Sequence, residues 1–392
     1  MKTFRYTLLT LLIGLLWTGC QEIEEPVNTV PTVTTDKVEK YSANFAYLSG
    51  AVTSRAQCYF LLSTSADMND ALQKEAYPYY NEERNIWLCQ TEIGDLQPGT
   101  TYYAVLCATD GRSEVKGNMV EFTTIKEIKI ANIRMTPCGN NESDESTDFT
   151  PEDAVGVFLT TMDGDKLTIQ RPENMETYYQ AQQWNLPTQV IPNSVPRKLY
   201  AYYPYSKEMG DNYTIPVNID EGKHYLFGNS EELTLNNPEA HITMKHALSR
   251  ITFSITKSKE SETEEYITRA RLYNNNSKAI FLGGWMNVFT GNIIPDYNYN
   301  DGIFRSCEFK PETEKAKTIE MLVIPTSFSD DEVVFEIVLG THIIYASLPA
   351  NNWEQGKHYN YPFEITVNGL KLGNVTVEGW ENNDGGSINI NQ

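Results

Sequence analysis

The chain has 392 residues, 40% hydrophobic and 21% charged, with 52 Asp and Glu against 31 Lys and Arg and a formal charge of −21. At one domain per roughly 100–200 residues, this predicts two or three domains, each large enough for its own core. So negative a surface repels phosphate backbones and argues against nucleic acid as a partner, and the six cysteines contain no CxxC pair and no metal-ligand spacing.

Lys2 and Arg5 precede an apolar run over residues 8–17, of signal-peptide length and short of the roughly 20 residues a spanning helix requires. Gly19 puts a small residue ahead of Cys20, although Trp17 stands where an aliphatic residue is commonest. Residues 1–19 are therefore expected to be a lipoprotein signal peptide, and Cys20 the acylated first residue of a surface-exposed lipoprotein of the cell outer membrane. Loss of Lys2 and Arg5 takes the formal charge from −21 to −23. At about 0.8 kcal/mol per buried CH₂, two or more acyl chains hold a protein on lipid almost permanently. Residues 20–26 form an acidic linker. Glu22, Glu24 and Glu25 in it resemble the signal that exports lipoproteins of Bacteroidetes bacteria to the outer face of the outer membrane, and a merely solvated linker is the other reading.

Residues 27–125 read as short strands between turns. Ala46, Leu48, Gly50 and Val52 alternate with exposed positions, and residues 58–63, 86–93 and 102–108 are further β-type runs. Residues 65–85 interrupt them and suit a short helix or a long loop; Asp67 and Asp70 lack calcium-loop spacing. In Leu96-Gln97-Pro98-Gly99-Thr100-Thr101-Tyr102, a Pro-Gly turn puts Tyr102 where its hydroxyl bonds back to the chain upstream, a tyrosine corner. With Val120-Glu121-Phe122-Thr123-Thr124 as a last strand, this part resembles a fibronectin type III domain. Cys58 and Cys107 stand on strands that could be neighbours, leaving a disulfide or free thiols open.

From residue 126 the pattern stays β, giving an all-β chain of sandwiches. Residues 128–133 open a strand that ends beside Arg134, and residues 140–148 read as an acidic loop. Tyr200-Ala201-Tyr202-Tyr203-Pro204-Tyr205 ends a strand at a proline that cannot donate to a ladder. Tyr202, Tyr203 and Tyr205 are the best aromatic cluster; core packing is the first reading of them and a ligand contact the second. Residues 333–338 and 343–348 read as a hairpin through Gly340-Thr341.

Asp153-Ala154-Val155-Gly156-Val157-Phe158, Ala201 to Tyr205, Lys245-His246-Ala247-Leu248-Ser249-Arg250-Ile251 and Trp353-Glu354-Gln355-Gly356-Lys357-His358-Tyr359, with Val375 to Trp380 after them, resemble the ordered blocks of the fimbrillin-like proteins of Bacteroidetes. The resemblance covers roughly residues 126–392. It implies two tandem transthyretin-like β-sandwiches, divided here at residues 126–238 and 239–392, in a subunit of a surface fimbria. Stalk subunits of that family lose their first strand to an arginine-specific protease, and a neighbour's C-terminal strand fills the groove. Arg134 is the best-placed cleavage residue and Ile388 and Ile390 the candidate donor strand, an ordinary last sheet strand being the other reading. Cutting at Arg134 would discard the fibronectin-like domain with its lipid. An uncut anchoring or accessory subunit, or an adhesin, is therefore expected, with outer-membrane lipid, other fimbrial subunits and a host protein or glycan as partners. A surface glycan-binding lipoprotein of a polysaccharide-utilisation system is the alternative.

No catalytic motif, metal-ligand set or cofactor fingerprint stands out, so no enzymatic activity and no cofactor are expected. Of the five histidines, His246 reads as a hydrogen-bonded structural residue, His224 and His241 are too far apart for a local zinc pair, and His342 and His358 fall within strands.

Overall fold

The computed structural model describes residues 31–135, 149, 152–163, 166–168, 173–181, 183–219, 222–296, 302–380 and 388–390. Every regular element among the described residues is a β-strand, as the patterning predicts. The chain divides into two compact units, residues 1–125 and 126–392.

The first unit holds β1 (Val33–Thr35), β2 (Lys40–Tyr41), β3 (Ala46–Val52), β4 (Gln57–Ser63), β5 (Leu72–Asn81), β6 (Ile86–Ile93), β7 (Thr101–Thr109), β8 (Glu114–Lys116) and β9 (Val120–Thr123). They pair in the order β1-β3-β6-β5-β4-β7-β8, with β2 on β3 and β9 on β7. Strict alternation buries Ala46, Leu48, Gly50 and Val52 of β3, which meet Phe60, Leu62 and Leu106 in one core. The tyrosine corner is present: the Gln97 N–H donates to Tyr102 Oη at 2.9 Å, and the turn passes through Gly99 at φ 63°.

One expectation for this unit is corrected, and one open alternative is decided. The stretch 65–85 is neither helix nor one long loop, because β5 fills most of it; residues 72–76 pair with β4 and residues 77–81 with β6. Only Ala76 of that strand is buried, so no inward alternation marked it in the sequence. Cys58 and Cys107 are free thiols. In the β4–β7 register Cys58 faces Ala108 while Cys107 faces Tyr59, one position out of step, so the two sulfurs point to opposite faces. Cys58 lies with Cys89 in the core, and Cys107 packs with Tyr59 and Val105 outside it.

The second unit begins with β10 (Lys129–Met135), β11 (Ala154–Asp163), β12 (Lys166–Thr168), β13 (Met175–Gln180), β14 (Gln183–Trp184), β15 (Arg197–Tyr203), β16 (Thr214–Asn218), β17 (Leu226–Asn229) and β18 (Glu239–His246). It continues with β19 (Ser249–Lys257), β20 (Ile267–Asn274), β21 (Gly283–Asn287), β22 (Ile293–Pro295), β23 (Ile303–Phe309), β24 (Lys317–Val323), β25 (Thr326–Phe328), β26 (Val333–Leu339) and β27 (His342–Ser347). The last are β28 (Asn351–Trp353), β29 (Lys357–Thr366), β30 (Gly369–Leu372), β31 (Val375–Gly379) and β32 (Ile388–Ile390).

One sheet runs β10-β18-β17-β15-β11-β13-β14. Its strand β18 lies beyond the division near residue 238 that the sequence suggested. A β24-β19-β29-β31-β32 sheet faces a β23-β20-β26-β27 sheet across a core in which Phe253 stacks on Phe335, centroids 3.7 Å apart. A short, three-stranded sheet of β16, β21 and β22 borders the same core.

Both faces of β15 are covered. Leu199 and Ala201 join one core with Ile130 and Ile133, while Tyr200 and Tyr202 join the other with Ile215 and Phe253.

Candidate functional site

Strand β10 forms one edge of its sheet and pairs with β18 alone, in parallel, from Lys129 opposite Glu239 to Met135 opposite Met244. A register shift between Ile130 and Asn132 turns both Ile130 and Ile133 inward, although their spacing of three breaks strict alternation. Ile128, Ile130 and Ile133 are buried, whereas Arg134 is exposed near the strand's end. At the other end of the chain, β32 is also an edge strand, with Ile390 opposite Val375 and Ile388 opposite Val377. The candidate donor residues are thus paired with their own chain.

The tyrosines of the cluster lie against the core. Tyr202 is fully buried, its hydroxyl donating to Asn174 Oδ1 at 2.8 Å, and Tyr203 Oη donates to Asp153 Oδ1 at 2.8 Å. Burial pushes both phenols up to about 12. Tyr205 is half-buried against the same core. Tyr202 cannot turn outward because its ring occupies the space a side chain at Gly156, directly opposite, would fill.

An open cleft of about 770 Å³ lies instead on the outer face of the β16-β21-β22 sheet. Alternation along Gly284-Trp285-Met286-Asn287 buries Met286 and turns Trp285 and Asn287 outward. Register places Pro216, Trp285 and Ile294 side by side, and Ile294 is 66% exposed. Gly210 closes over the indole: a Cβ there would stand 2.9 Å from the ring. Asn287 Nδ2 donates to the Asn212 carbonyl at 2.9 Å, tying the turn over residues 209–214 to the one over 287–292. Asn287 Oδ1 accepts from the Phe289 and Thr290 amides at 3.0 and 3.1 Å, fixing the second turn. Sequence reading did not single these residues out; the signal was the pair of polar turns, Asp211-Asn212 and Gly291-Asn292, on either side of an outward tryptophan.

The histidines serve packing and hydrogen bonding. His358 bridges Thr252 Oγ1 at 2.8 Å and Glu378 Oε1 at 2.7 Å, and burial lowers its pKa. His246 stacks on Trp380 and has the tilted ring of His224 beside it, a packing role. No group of three metal-ligating side chains occurs among the described residues. Cys20, Glu22, Glu24 and Glu25 lie outside the described residues.

Comparison with known proteins accords with this architecture. A candidate cell adhesion protein from Bacteroides ovatus, 17% identical, aligns over 67% of this chain and 100% of its own with a TM-score of 0.51. A fimbrial assembly protein from Parabacteroides distasonis, 14% identical, aligns over 66% of this chain and 98% of its own with a TM-score of 0.36. No curated protein matches. The sequence model of the fimbrillin-like family matches residues 135–380, from the end of β10 to Trp380 and across every block quoted for the resemblance beyond residue 152. By that match, over more than half its length, the chain belongs to the fimbrillin-like family.

Proposed function

We propose that this chain is a non-catalytic, lipid-anchored surface subunit of the fimbrial type: an anchoring or accessory subunit, or an adhesin, that meets its neighbours by strand donation. The observation that carries the reading is the β10 edge. Ile130 and Ile133, with Ile128 just ahead of the strand, and one ladder hold β10, so its removal would leave an apolar groove beside the unpaired backbone of β18. A donated strand satisfies both at once. The edge strand β32, with Ile388 and Ile390, is the donor this reading assigns.

The tyrosine corner supports a fibronectin type III-like spacer at residues 27–125, between Cys20 and the fimbrillin-like part. We draw the line between the two fimbrillin-like sandwiches after β18, near Ala247. Membrane lipid on Cys20, other fimbrial subunits and a host protein or glycan are the partners. The adhesion name carried by the Bacteroides ovatus protein is consistent with this role. Cleavage after Arg134 would sever β10 and release everything before Met135, so the anchored subunit is the uncut one.

The test is the first residue of the protein recovered from the cell surface. A chain starting at acylated Cys20 is expected. One starting at Met135 overturns the anchoring role and makes the protein a polymerising stalk subunit.

A further inference from the structure

We propose that the Trp285 cleft binds a neutral glycan, an inference that rests on the glycan partner of the proposed function and is independent of strand-mediated assembly. A sugar ring offers an apolar C–H face and a rim of hydroxyls that both donate and accept, and the cleft is built for both. Trp285 supplies a half-exposed aromatic face, extended by Ile294 beside it. The exposed side chains of Asp211, Asn212 and Asn292 surround it and make no hydrogen bond to the protein among the described residues, leaving two amides and a carboxylate for hydroxyls. The walls are fixed before any ligand arrives. Asn287 ties the two turns together through its amide, and the positive φ of Asn212 and Tyr213, 55° and 58°, sets the tight bend of the first.

Two other ligand classes fit less well. An anionic sugar or phosphate would meet the Asp211 carboxylate and a chain of formal charge −21, with no Lys or Arg lining the cleft. A peptide adding as a strand would need an edge of this sheet, and β22 has three residues and ends at Pro295 while β16 carries Pro216 at its middle, both residues without an N–H.

The purified full chain is applied to an array of neutral, sialylated and sulfated oligosaccharides, with an immobilised peptide library beside it. Retention of one or more neutral glycans is expected, weakened about tenfold or more by Trp285→Ala. Asn292→Ala, on an exposed turn away from the core, should weaken the same glycan with an unchanged melting temperature. Retention only of anionic sugars, only of peptides, or of nothing overturns the proposal, as does neutral-glycan retention that survives both substitutions. Assembly is read separately, by the size of surface polymers, so failure of one reading leaves the other standing.

Discussion

The imidazole of His246 lies flat on the indole of Trp380, ring centroids 3.7 Å apart and planes within 7°. His246 ends β18 and Trp380 follows β31, so the pair joins two sheets of the second unit. His224 closes the cluster at 5.4 Å from His246, and among the described residues no carboxylate offsets a charge on the buried ring.

Acid should therefore loosen this contact. Burial first, then His224 and Arg250, hold the His246 pKa at about 3, against roughly 6.5 in the unfolded chain. A lowered histidine pKa means the unfolded state takes up the proton first. Its contribution is complete above about pH 6.5 and falls as pH drops toward 3, a loss of up to about 2–3 kcal/mol by pH 4.5. Urea midpoints at pH 7.5 and 4.5 should diverge less in His246→Phe than in the natural chain; equal divergence would contradict this.

Gly156 cannot accept a methyl group, because the Tyr202 ring lies where it would go and that ring is hemmed in by Phe158 and held to Asn174. Gly156→Ala should cost about 1–3 kcal/mol by overpacking. Tyr202→Phe should cost about 1 kcal/mol for the lost hydrogen bond. Both are checked by thermal unfolding, and neither should alter glycan retention.

The thiols Cys58, Cys89 and Cys107 are buried and unpaired. In the folded protein these three should react slowly with a thiol reagent, and unfolding should expose them. Mass spectrometry of unreduced, alkylated chain should find both Cys58 and Cys107 carrying the label; a Cys58–Cys107 crosslink would refute the register described for β4 and β7.

Strand β10 should govern access to Arg134, since a protease needs several residues in extended, unpaired backbone. Ile133→Ala empties a fully buried position and is expected to cost about 2–4 kcal/mol. An arginine-specific protease should then cut after Arg134 faster than in the natural chain, as local opening becomes more frequent. An unchanged rate would mean that β10 does not protect the bond.

Much of the fold was legible because period-two burial is a local signal. The Ala46 strand comes from alternation, those containing Cys58, Ile86, Tyr102 and Val333 from β-type runs between turns, and the tyrosine corner and the Gly340 hairpin from turn chemistry. Two-sided burial hid the rest. In Leu199-Tyr200-Ala201-Tyr202 every side chain is interior, so alternation offered no outward face from which to tell packing from a ligand contact. β5 failed for the opposite reason, being exposed almost throughout. The cleft was illegible because Pro216, Trp285 and Ile294 are brought together only by register across three strands.

The parallel pairing of β10 with β18 also bears on load. Tension entering the second unit at Lys129 and leaving through the far end of β18 pulls the two strands past each other lengthwise. The pairs from Lys129–Glu239 to Met135–Met244 must then give way together, where an antiparallel hairpin pulled from its open end would peel bond by bond. The same edge that a single proteolytic cut would open is, while intact, a mechanical clamp against traction on the chain.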